Sequence, residues 1–141
     1  MEFNILLIED SLTDAAIMVT AFERVGCSGR IQVAQDGIEA IDFLGQMALN
    51  DEVGLPQLIL LDLNLPCKSG YEVLDEIKKN PRWQCIPAIV LSSSSTSLDI
   101  TKSYQLRANA YIAKPITLEG YELVARRIHD FWLQTAKLPM Y

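Results

Sequence analysis

The sequence has few of the residues that mark several large classes of functional site. Its three cysteines, Cys27, Cys67 and Cys85, lie far apart and form no CxxC pair, and His129 is its one histidine. These residues provide neither a zinc framework nor a catalytic triad, so the cysteines are expected to be buried or partly buried thiols of a cytosolic protein. P-loop and GxGxxG fingerprints are also missing from the sequence.

Positive charge and long apolar runs are scarce as well. The 12 Lys and Arg residues against 18 Asp and Glu give a formal net charge of −6, which argues against a nucleic-acid partner. The apolar runs are too short to cross a bilayer and no signal peptide opens the sequence, so no membrane partner is expected. With 141 residues, 50% of them hydrophobic and 21% charged, the chain has the composition of one globular domain.

Strand-like and helix-like segments alternate five times along the chain. Strands are predicted at the apolar runs 3–8, 31–34, 57–61, 86–91 and 110–113. The helical patterns between them begin at capping residues, among them Ser11, Asp36, Ser69 and Thr117. Right-handed crossovers between successive strands place helices on both faces of a parallel sheet. We therefore predict an α/β, flavodoxin-like (βα)5 fold, a doubly wound parallel sheet of strand order 2-1-3-4-5.

Apolar stripes predict which residues of two helices face the core. In the second helix the stripe consists of Ile38, Ile41, Leu44 and Met47. In the last helix, which is predicted to end near Ala136, it consists of Leu118, Tyr121, Val124, Ile128 and Phe131. All of these side chains are expected to pack on the sheet.

Polar residues follow the strands at the points where each strand ends. The first strand leads into Glu9 and Asp10, the third into Asp62, the fourth into Ser92 and the fifth into Lys114. The first and third strands are neighbours in the predicted order, so three carboxylates converge in the crevice at the sheet's carboxyl edge. Their repulsion calls for a cation, and such hard oxygen ligands suit Mg²⁺ or Mn²⁺. Any one of these residues alone is more simply a turn or cap residue, but five at one sheet edge are poorly explained that way.

This combination of motifs resembles the receiver domains of two-component response regulators. The resemblance rests on the acidic pair, on the D-x-x-x-P-x-x-x-G pattern formed by Asp62, Pro66 and Gly70, on Ser92, and on Lys114-Pro115. Two positions depart from the family's commonest residues, because Glu9 stands where Asp is more usual and Ser92 stands where Thr is. Both substitutions keep the functional group.

The resemblance implies a role for each residue of the site. Asp62 is the phosphoacceptor, and Mg²⁺ is held by its carboxylate, by Glu9 and Asp10, and by the main-chain carbonyl of Asn64. Lys114 contacts the phosphoryl oxygens and precedes a cis peptide bond. Phosphorylation then draws Ser92 toward the phosphoryl group and lets Tyr111 turn from exposed to buried.

The resemblance leaves some of these roles open. Tyr111 has a plain alternative as a half-buried aromatic of an edge strand. Asn64 and Ser94, which flank the phosphoryl site, are expected to tune hydrolysis of the acyl phosphate. Cys67 lies in the active-site loop, where an inert thiol is favoured over a redox sensor.

The C-terminal region resembles the extension of phytochrome-associated single-domain response regulators. We expect a receiver domain over 1–136, a short apolar extension over 137–141, and no output domain. The resemblance implies a homodimer formed through the fourth helix, the fifth strand, the fifth helix and 131–136, with contacts from Phe131, Trp132, Leu133 and Leu138. It also implies a histidine kinase partner, either phytochrome-like or of another kind. The alternative is that these apolar residues fold back onto the chain's own sheet.

Other function classes fit the sequence less well. A flavodoxin-type electron carrier needs a phosphate-binding first loop, and Glu9-Asp10 repel a phosphate. A haloacid-dehalogenase-type phosphatase needs its nucleophilic Asp on the first strand and a second acid two residues later, which Glu9-Asp10-Ser11-Leu12 does not provide. The remaining alternative is a degenerate receiver that acts as a phosphorylation-independent protein-binding module. Under either receiver hypothesis the chain is not an enzyme acting on a separate substrate.

Overall fold

The computed structural model describes residues 3–49 and 54–139. Within these residues five strands form one parallel sheet: β1 Phe3–Ile8, β2 Gly29–Ala34, β3 Leu58–Leu61, β4 Ala88–Ser92 and β5 Ala110–Ala113. Their order is β2-β1-β3-β4-β5, which confirms the predicted fold and strand order. Residues 50–53, between the second helix and the third strand, and Met140 and Tyr141 at the end of the extension lie outside the described residues.

Five α-helices follow the strands in the described part of the chain: α1 Leu12–Arg24, α2 Gly37–Leu49, α3 Gly70–Lys79, α4 Ser97–Gln105 and α5 Leu118–Ile128. A π-helical segment, His129–Thr135, continues α5. The helices α2 and α3 cover one face of the sheet, whereas α1 and α5 cover the other. Alternate residues of β3 therefore enter different cores, Ile59 and Leu61 the first and Leu58 and Leu60 the second.

The predicted helix starts are confirmed by capping hydrogen bonds. The side chains of Ser11, Asp36, Ser69 and Thr117 each accept a hydrogen bond from the backbone N–H three residues later, at 2.8 to 3.2 Å. Such a cap stabilises a helix by about 1 kcal/mol. These residues thereby fix where each helix leaves the carboxyl edge of the sheet.

The apolar stripe predicted for α2 is wrong at its first residue. Ile38 is exposed, and Ala40 is buried in its place beside Leu44 and Met47. The cause is a close approach at Gly37, where a Cβ atom would lie only 2.4 Å from the carbonyl oxygen of Lys68. Because Gly37 faces the protein, the next residue is rotated by about 100° and points to solvent.

The stripe predicted for the last helix is wrong at both ends. Leu118, in the first turn of α5, is exposed, as is the nearby Ile116 before the helix. Phe131 is exposed because the helix widens after Ile128, and a π-helical turn brings residues five apart onto one face. Leu133, five residues after Ile128, is buried instead.

The C-terminal apolar residues pack largely on their own chain. Leu133 is 6% exposed within the core on the α1 and α5 side, and Trp132 and Leu138 are half-buried against that core. This placement corrects the expectation that Leu133 is a surface contact of a dimer, and it follows the alternative of folding back. Phe131 stays exposed and meets the Trp132 ring edge-to-face, with centroids 5.2 Å apart. No helix in the part of the chain described is long and apolar enough to cross a membrane.

Candidate functional site

Backbone pairing continues past the strands and brings the functional residues to one edge. The N–H of Asp62 donates to the carbonyl of Ile8 at 3.0 Å, and the N–H of Lys114 donates to that of Ser92 at 2.8 Å. The last residues of β1 and β3, and of β4 and β5, are paired in register. The residues that follow these strands are therefore side by side, as the sequence predicts.

Three carboxylates converge at this edge. Glu9, Asp10 and Asp62 each place an oxygen within 4.8 Å of the others. Glu9 and Asp62 are buried and Asp10 is exposed, so the group opens to solvent on one side. All of the donors are hard carboxylate oxygens, which fits Mg²⁺ or Mn²⁺ with water completing the coordination. The structure thus brings together the three acidic side chains predicted to hold a cation.

Lys114 lies at the centre of the negative charge. Its Nζ is 2.6 Å from Oε1 of Glu9, 2.7 Å from Oδ2 of Asp62 and 3.0 Å from Oδ2 of Asp14. Its side chain is only 10% exposed. Burial alone would lower the pKa of Lys114, but the hydrogen bonds to these three carboxylates outweigh burial and raise it. The ammonium group therefore stays charged at physiological pH.

The peptide bond between Lys114 and Pro115 is trans, which corrects the expected cis bond. The trans form is the lower-energy isomer before proline by about 0.5–1 kcal/mol in the absence of tertiary constraints. Lys114 already reaches Asp62 with the bond in this form.

Glu9 has an unusual electrostatic environment for a carboxylate. Burial raises its pKa to about 7, and the negative charge of Asp62 acts in the same direction. The hydrogen bond from Lys114 lowers the pKa but does not compensate. Glu9 is therefore partly protonated near neutral pH unless another cation approaches it.

The path of the loop after Asp62 explains why the D-x-x-x-P-x-x-x-G pattern ends in a glycine, Gly70. A Cβ atom on Gly70 would lie 2.3 Å from the carbonyl oxygen of Asp62 and 2.4 Å from the Cα of Leu63. Only glycine allows α3 to begin this close to the backbone that carries Asp62. Within the same loop Cys67 adopts a left-handed conformation with φ of 68°. Cys67 and Cys85 are exposed and only Cys27 is partly buried, which corrects the expectation that all three thiols are at least partly buried.

Asn64 follows Asp62 closely but reaches it through its main chain. Its N–H donates to Oδ1 of Asp62 at 3.1 Å, on the carboxylate oxygen opposite to the one that Lys114 contacts. Each oxygen of Asp62 therefore has its own donor. The predicted role of the Asn64 carbonyl as a metal ligand stays a prediction.

A network of hydroxyl groups starts at the end of β4, the strand that pairs with β3. Ser92 is fully buried, and its Oγ accepts a long hydrogen bond, 3.4 Å, from the N–H of Ser94. The carbonyl of Ser94 accepts a hydrogen bond from Oη of Tyr111 at 2.7 Å. Tyr111 is half-buried in this arrangement, and its N–H donates to Oη of Tyr104 at 3.1 Å. Both predicted switch residues are thus joined through one residue of the β4–α4 loop.

Asp99 in the first turn of α4 ties this loop to α3. Its carboxylate accepts hydrogen bonds from Oγ of Ser94, from Oη of Tyr71 and from Oγ1 of Thr96. The bonds from Ser94 and Tyr71 hold the pKa of Asp99 below its usual value. The ammonium of Lys102 lies 4.1 Å from the centroid of the Tyr71 ring. The sequence interpretation did not assign Tyr71, Asp99 or Lys102 to the site, and their separation along the chain gives no signal that they meet.

The arrangement of the site agrees with comparison to known proteins. The family model of the response regulator receiver domain matches residues 5–126. The chain belongs to the response regulator receiver family. It is 38% identical over 139 residues to the probable methanogenesis regulatory protein FilR2 of Methanothrix harundinacea, an alignment covering 97% of this chain and 88% of FilR2. It is 39% identical over 135 residues to the response regulator Rcp1 of Synechocystis, covering 96% of this chain and 92% of Rcp1.

Solved receiver structures are similar over nearly the whole chain. The Mn²⁺-bound form of the response regulator Rcp1 has a TM-score of 0.87 at 38% identity, covering 98% of this chain and 99% of that one. The phosphorylated cyanobacterial phytochrome response regulator RcpA has a TM-score of 0.89 at 39% identity, covering 99% and 100%. The predicted resemblance to phytochrome-associated response regulators is therefore confirmed.

One side chain of the receiver's charged site was not predicted as a member. Asp14, whose N–H donates to the capping side chain of Ser11, contacts Lys114 directly through its carboxylate. The available signal was its position four residues after Asp10, one turn into a helix that starts at the carboxyl edge of the sheet.

Proposed function

We propose that this receiver accepts a phosphoryl group from a histidine kinase onto Asp62. The observation that supports the proposal best is the convergence of Glu9, Asp10, Asp62 and Lys114 at one sheet edge. A nucleophilic carboxylate, a set of hard oxygen ligands and a fixed ammonium group are the parts that phosphoryl transfer needs.

The chemistry follows from how the Asp62 carboxylate is held. A carboxylate oxygen attacks the phosphorus of a phosphohistidine, the P–N bond breaks, the imidazole leaves with its electron pair, and an acyl phosphate forms. Lys114, 2.7 Å from Oδ2, neutralises charge on the transferring group, and the Asn64 N–H orients Oδ1. A divalent cation, Mg²⁺ or Mn²⁺, held by Glu9, Asp10 and Asp62 supplies further neutralisation of the phosphoryl oxygens when bound. The chain catalyses only its own phosphorylation and dephosphorylation.

Exposed apolar residues border the proposed acceptor. Leu12 follows the acidic pair closely, and Ile116 and Leu118 follow Lys114; their exposures are 64%, 100% and 58%. Such residues beside a charged crevice suit docking of a kinase helix that brings its phosphohistidine to Asp62. The similarity to a phytochrome response regulator supports a phytochrome-like kinase as the partner, with the reaction in the cytoplasm.

We further propose that phosphorylation is signalled through the face formed by α4, β5 and α5, which also forms a homodimer. Its exposed apolar side chains are those of Leu98, Tyr104, Leu123 and Phe131. Ser92 and Tyr111 join this face to the phosphoryl site through Ser94. Trp132 and Leu138 contribute their exposed edges, whereas Leu133 supports the face from inside. Sedimentation of a monomer at tens of micromolar, with and without beryllofluoride, would contradict the homodimer.

Intact mass spectrometry tests the acceptor directly. After incubation with acetyl phosphate or phosphoramidate and Mg²⁺, the chain is expected to gain one phosphoryl group of about 80 Da. Asp62→Asn abolishes the gain because the amide is a poor nucleophile. Asp75→Asn, a surface carboxylate paired with Lys79, keeps the gain and controls for the loss of one charge.

The opposite outcomes separate two functions. A mass gain that persists in Asp62→Asn would place the acceptor elsewhere. No gain in the wild-type chain, with its circular dichroism spectrum intact, would leave the phosphorylation-independent protein-binding module as the function.

A further inference from the structure

We propose that Asp14 is a positioning residue for phosphoryl transfer, because it holds the ammonium group of Lys114 beside Asp62 while the other partners of Lys114 change. This inference rests on the proposed phosphorylation of Asp62. It concerns a residue of α1 that is neither the acceptor nor one of the three carboxylates that converge on a cation.

The hydrogen bonds of Lys114 are fully assigned in the structure. An ammonium group has three N–H donors, and here the three go to Glu9, Asp62 and Asp14. Two of these acceptors are also proposed to bind the divalent cation. Glu9 and Asp62 belong to the carboxylate group whose oxygens lie within 4.8 Å of one another, and that group, among the described residues, does not include Asp14.

Glu9 and Asp62 must weaken their hydrogen bonds to Lys114 when a cation binds or when Asp62 is phosphorylated. A cation that takes an oxygen from Glu9 and Asp62 competes with the ammonium for the same carboxylates. A phosphoryl group on Asp62 presents new oxygens that Lys114 must face. Asp14 is the one partner in the set that can keep its bond throughout these exchanges.

The backbone of Asp14 is well placed for this role. Its N–H donates to Oγ of Ser11 at 3.2 Å, in the capped first turn of α1. A helix terminus fixed in this way gives the carboxylate a defined position relative to the sheet. Asp14 is also the most exposed of the three carboxylates, at 34% of its side chain, so water solvates it more than it solvates Glu9 or Asp62.

The experiment measures the rate at which phosphoramidate and saturating Mg²⁺ phosphorylate the full chain, by intact mass. In this reaction the P–N bond breaks, the Asp62 oxygen bonds to phosphorus and ammonia leaves. We expect Asp14→Asn to lower the maximal rate about tenfold while the half-saturating phosphoramidate concentration changes little. Asp14→Glu is expected to restore part of the rate, because a carboxylate is again within reach of Lys114.

A double-mutant cycle with Lys114 separates positioning from a general effect on folding. In a Lys114→Met background, Asp14→Asn is expected to change the residual rate less than about twofold, since the group it positions is gone. Glu122→Gln is the matched control. Glu122 pairs with Arg24 on the same side of the protein, its side chain is 35% exposed, and its loss removes the same charge. It is expected to leave the rate unchanged.

The outcomes distinguish this inference from the proposed function. If the wild-type chain gains no phosphoryl group, the proposed function fails and the role of Asp14 fails with it. If the wild-type chain is phosphorylated and Asp14→Asn reacts at the same rate, only the inference about Asp14 is overturned. A tenfold effect that persists undiminished in the Lys114→Met background overturns it as well.

Discussion

The two flanks of Asp62 are built from different interactions. In the first, formed by residues that follow β1, β3 and β5 and by Asp14 of α1, a buried ammonium joins Glu9, Asp14 and Asp62 within 3.0 Å. In the second, which starts at the end of β4, hydroxyl groups, main-chain groups and the carboxylate of Asp99 form a chain of hydrogen bonds from Ser92 through Ser94 to Asp99, Tyr71 and Tyr111. We call these the charged flank and the hydroxyl flank.

The difference assigns a task to each flank. Removing one partner from a buried ion pair leaves an uncompensated charge and costs several kcal/mol, so the charged flank resists rearrangement unless a cation replaces one that leaves. The hydrogen bonds that join Ser92 and Tyr111 to Ser94 are between neutral groups; each such bond contributes about 1 kcal/mol net and exchanges readily with water or another acceptor. The charged flank is therefore suited to the chemistry of transfer, and the hydroxyl flank to reporting that transfer has occurred.

Lys114→Met is expected to have the largest effect on this comparison. It leaves three carboxylates without their shared cation, so the free energy of unfolding near pH 7.5 should fall by about 3 kcal/mol in the absence of divalent ions. The loss should be smaller near pH 5, where Glu9 is protonated, and Mg²⁺ should reverse part of it.

Urea denaturation measures that change. Lys79→Met is the control, because Lys79 pairs with Asp75 on the surface and its loss should cost less than about 0.5 kcal/mol. A Lys114→Met variant as stable as the wild type without metal would remove the energetic distinction between the flanks.

The charged flank also predicts how cation binding depends on pH. Burial raises the pKa of Glu9 from 4.5 to about 7, so its carboxylate is mostly protonated below that pH and must release a proton to bind a cation. Mg²⁺ affinity should therefore rise about tenfold from pH 6 to pH 8 and level off above it.

The raised pKa of Glu9 also determines the direction in which the stability of the metal-free protein changes with pH. A carboxyl whose pKa is higher in the folded state contributes stability that is fully present below pH 4.5 and is lost as pH rises toward 7. Isothermal titration calorimetry in two buffers of different ionisation enthalpy counts the released proton. Glu9→Gln should bind Mg²⁺ weakly with no pH dependence over this range, and an unchanged pH profile in that variant would assign the proton to another group.

The sequence predicted the charged flank far better than the hydroxyl flank, for a topological reason. In a parallel sheet every strand ends at the same edge, so residues that follow adjacent strands, such as Glu9 after β1 and Asp62 after β3, must be neighbours once the strand order is known. Asp14 lies on a helix, where its direction depends on how α1 sits against the sheet. Tyr71 and Asp99 are 28 positions apart on two helices, and no periodicity brings them together.

The hydrophobic cores show the same contrast between what strand topology predicts and what depends on packing. Hydrophobic runs located all five strands, most directly β1, β3 and β4, because these three are buried along nearly their whole length. The faces of α2 and of the C-terminal segment depended on a close approach at Gly37 and on the widening after Ile128, which are properties of packing. Ile38 and Leu133 were misassigned for this reason.

On the hydroxyl flank, Asp99→Ala is expected to lower the free energy of unfolding more than Tyr111→Phe does. It removes the acceptor of three hydrogen bonds, from Ser94, Tyr71 and Thr96, and should therefore lower the free energy of unfolding. Phosphorylation of Asp62 should persist, because no group of the charged flank is altered.

Hydrogen exchange of the β4–α4 loop amides should become faster in that variant while exchange in β1 and β3 stays unchanged. Asp75→Ala is the control, since Asp75 is a helix-surface carboxylate with one ion pair. Loss of phosphorylation in Asp99→Ala would show that the two flanks are not separable.

Tyr111→Phe is the mildest test and the one that addresses the switch. It removes only the hydroxyl that donates to the carbonyl of Ser94, so the free energy of unfolding should change by about 1 kcal/mol or less. If that bond holds the resting position of the ring, the Ser94 amide resonance should shift in Tyr111→Phe toward its position in the beryllofluoride-treated wild type. Tyr104→Phe, which removes a hydroxyl that instead accepts from the Tyr111 N–H, is the matched control on the same face. Equal shifts in both variants would mean that Tyr111 is an edge-strand aromatic whose hydroxyl plays no special part in signalling.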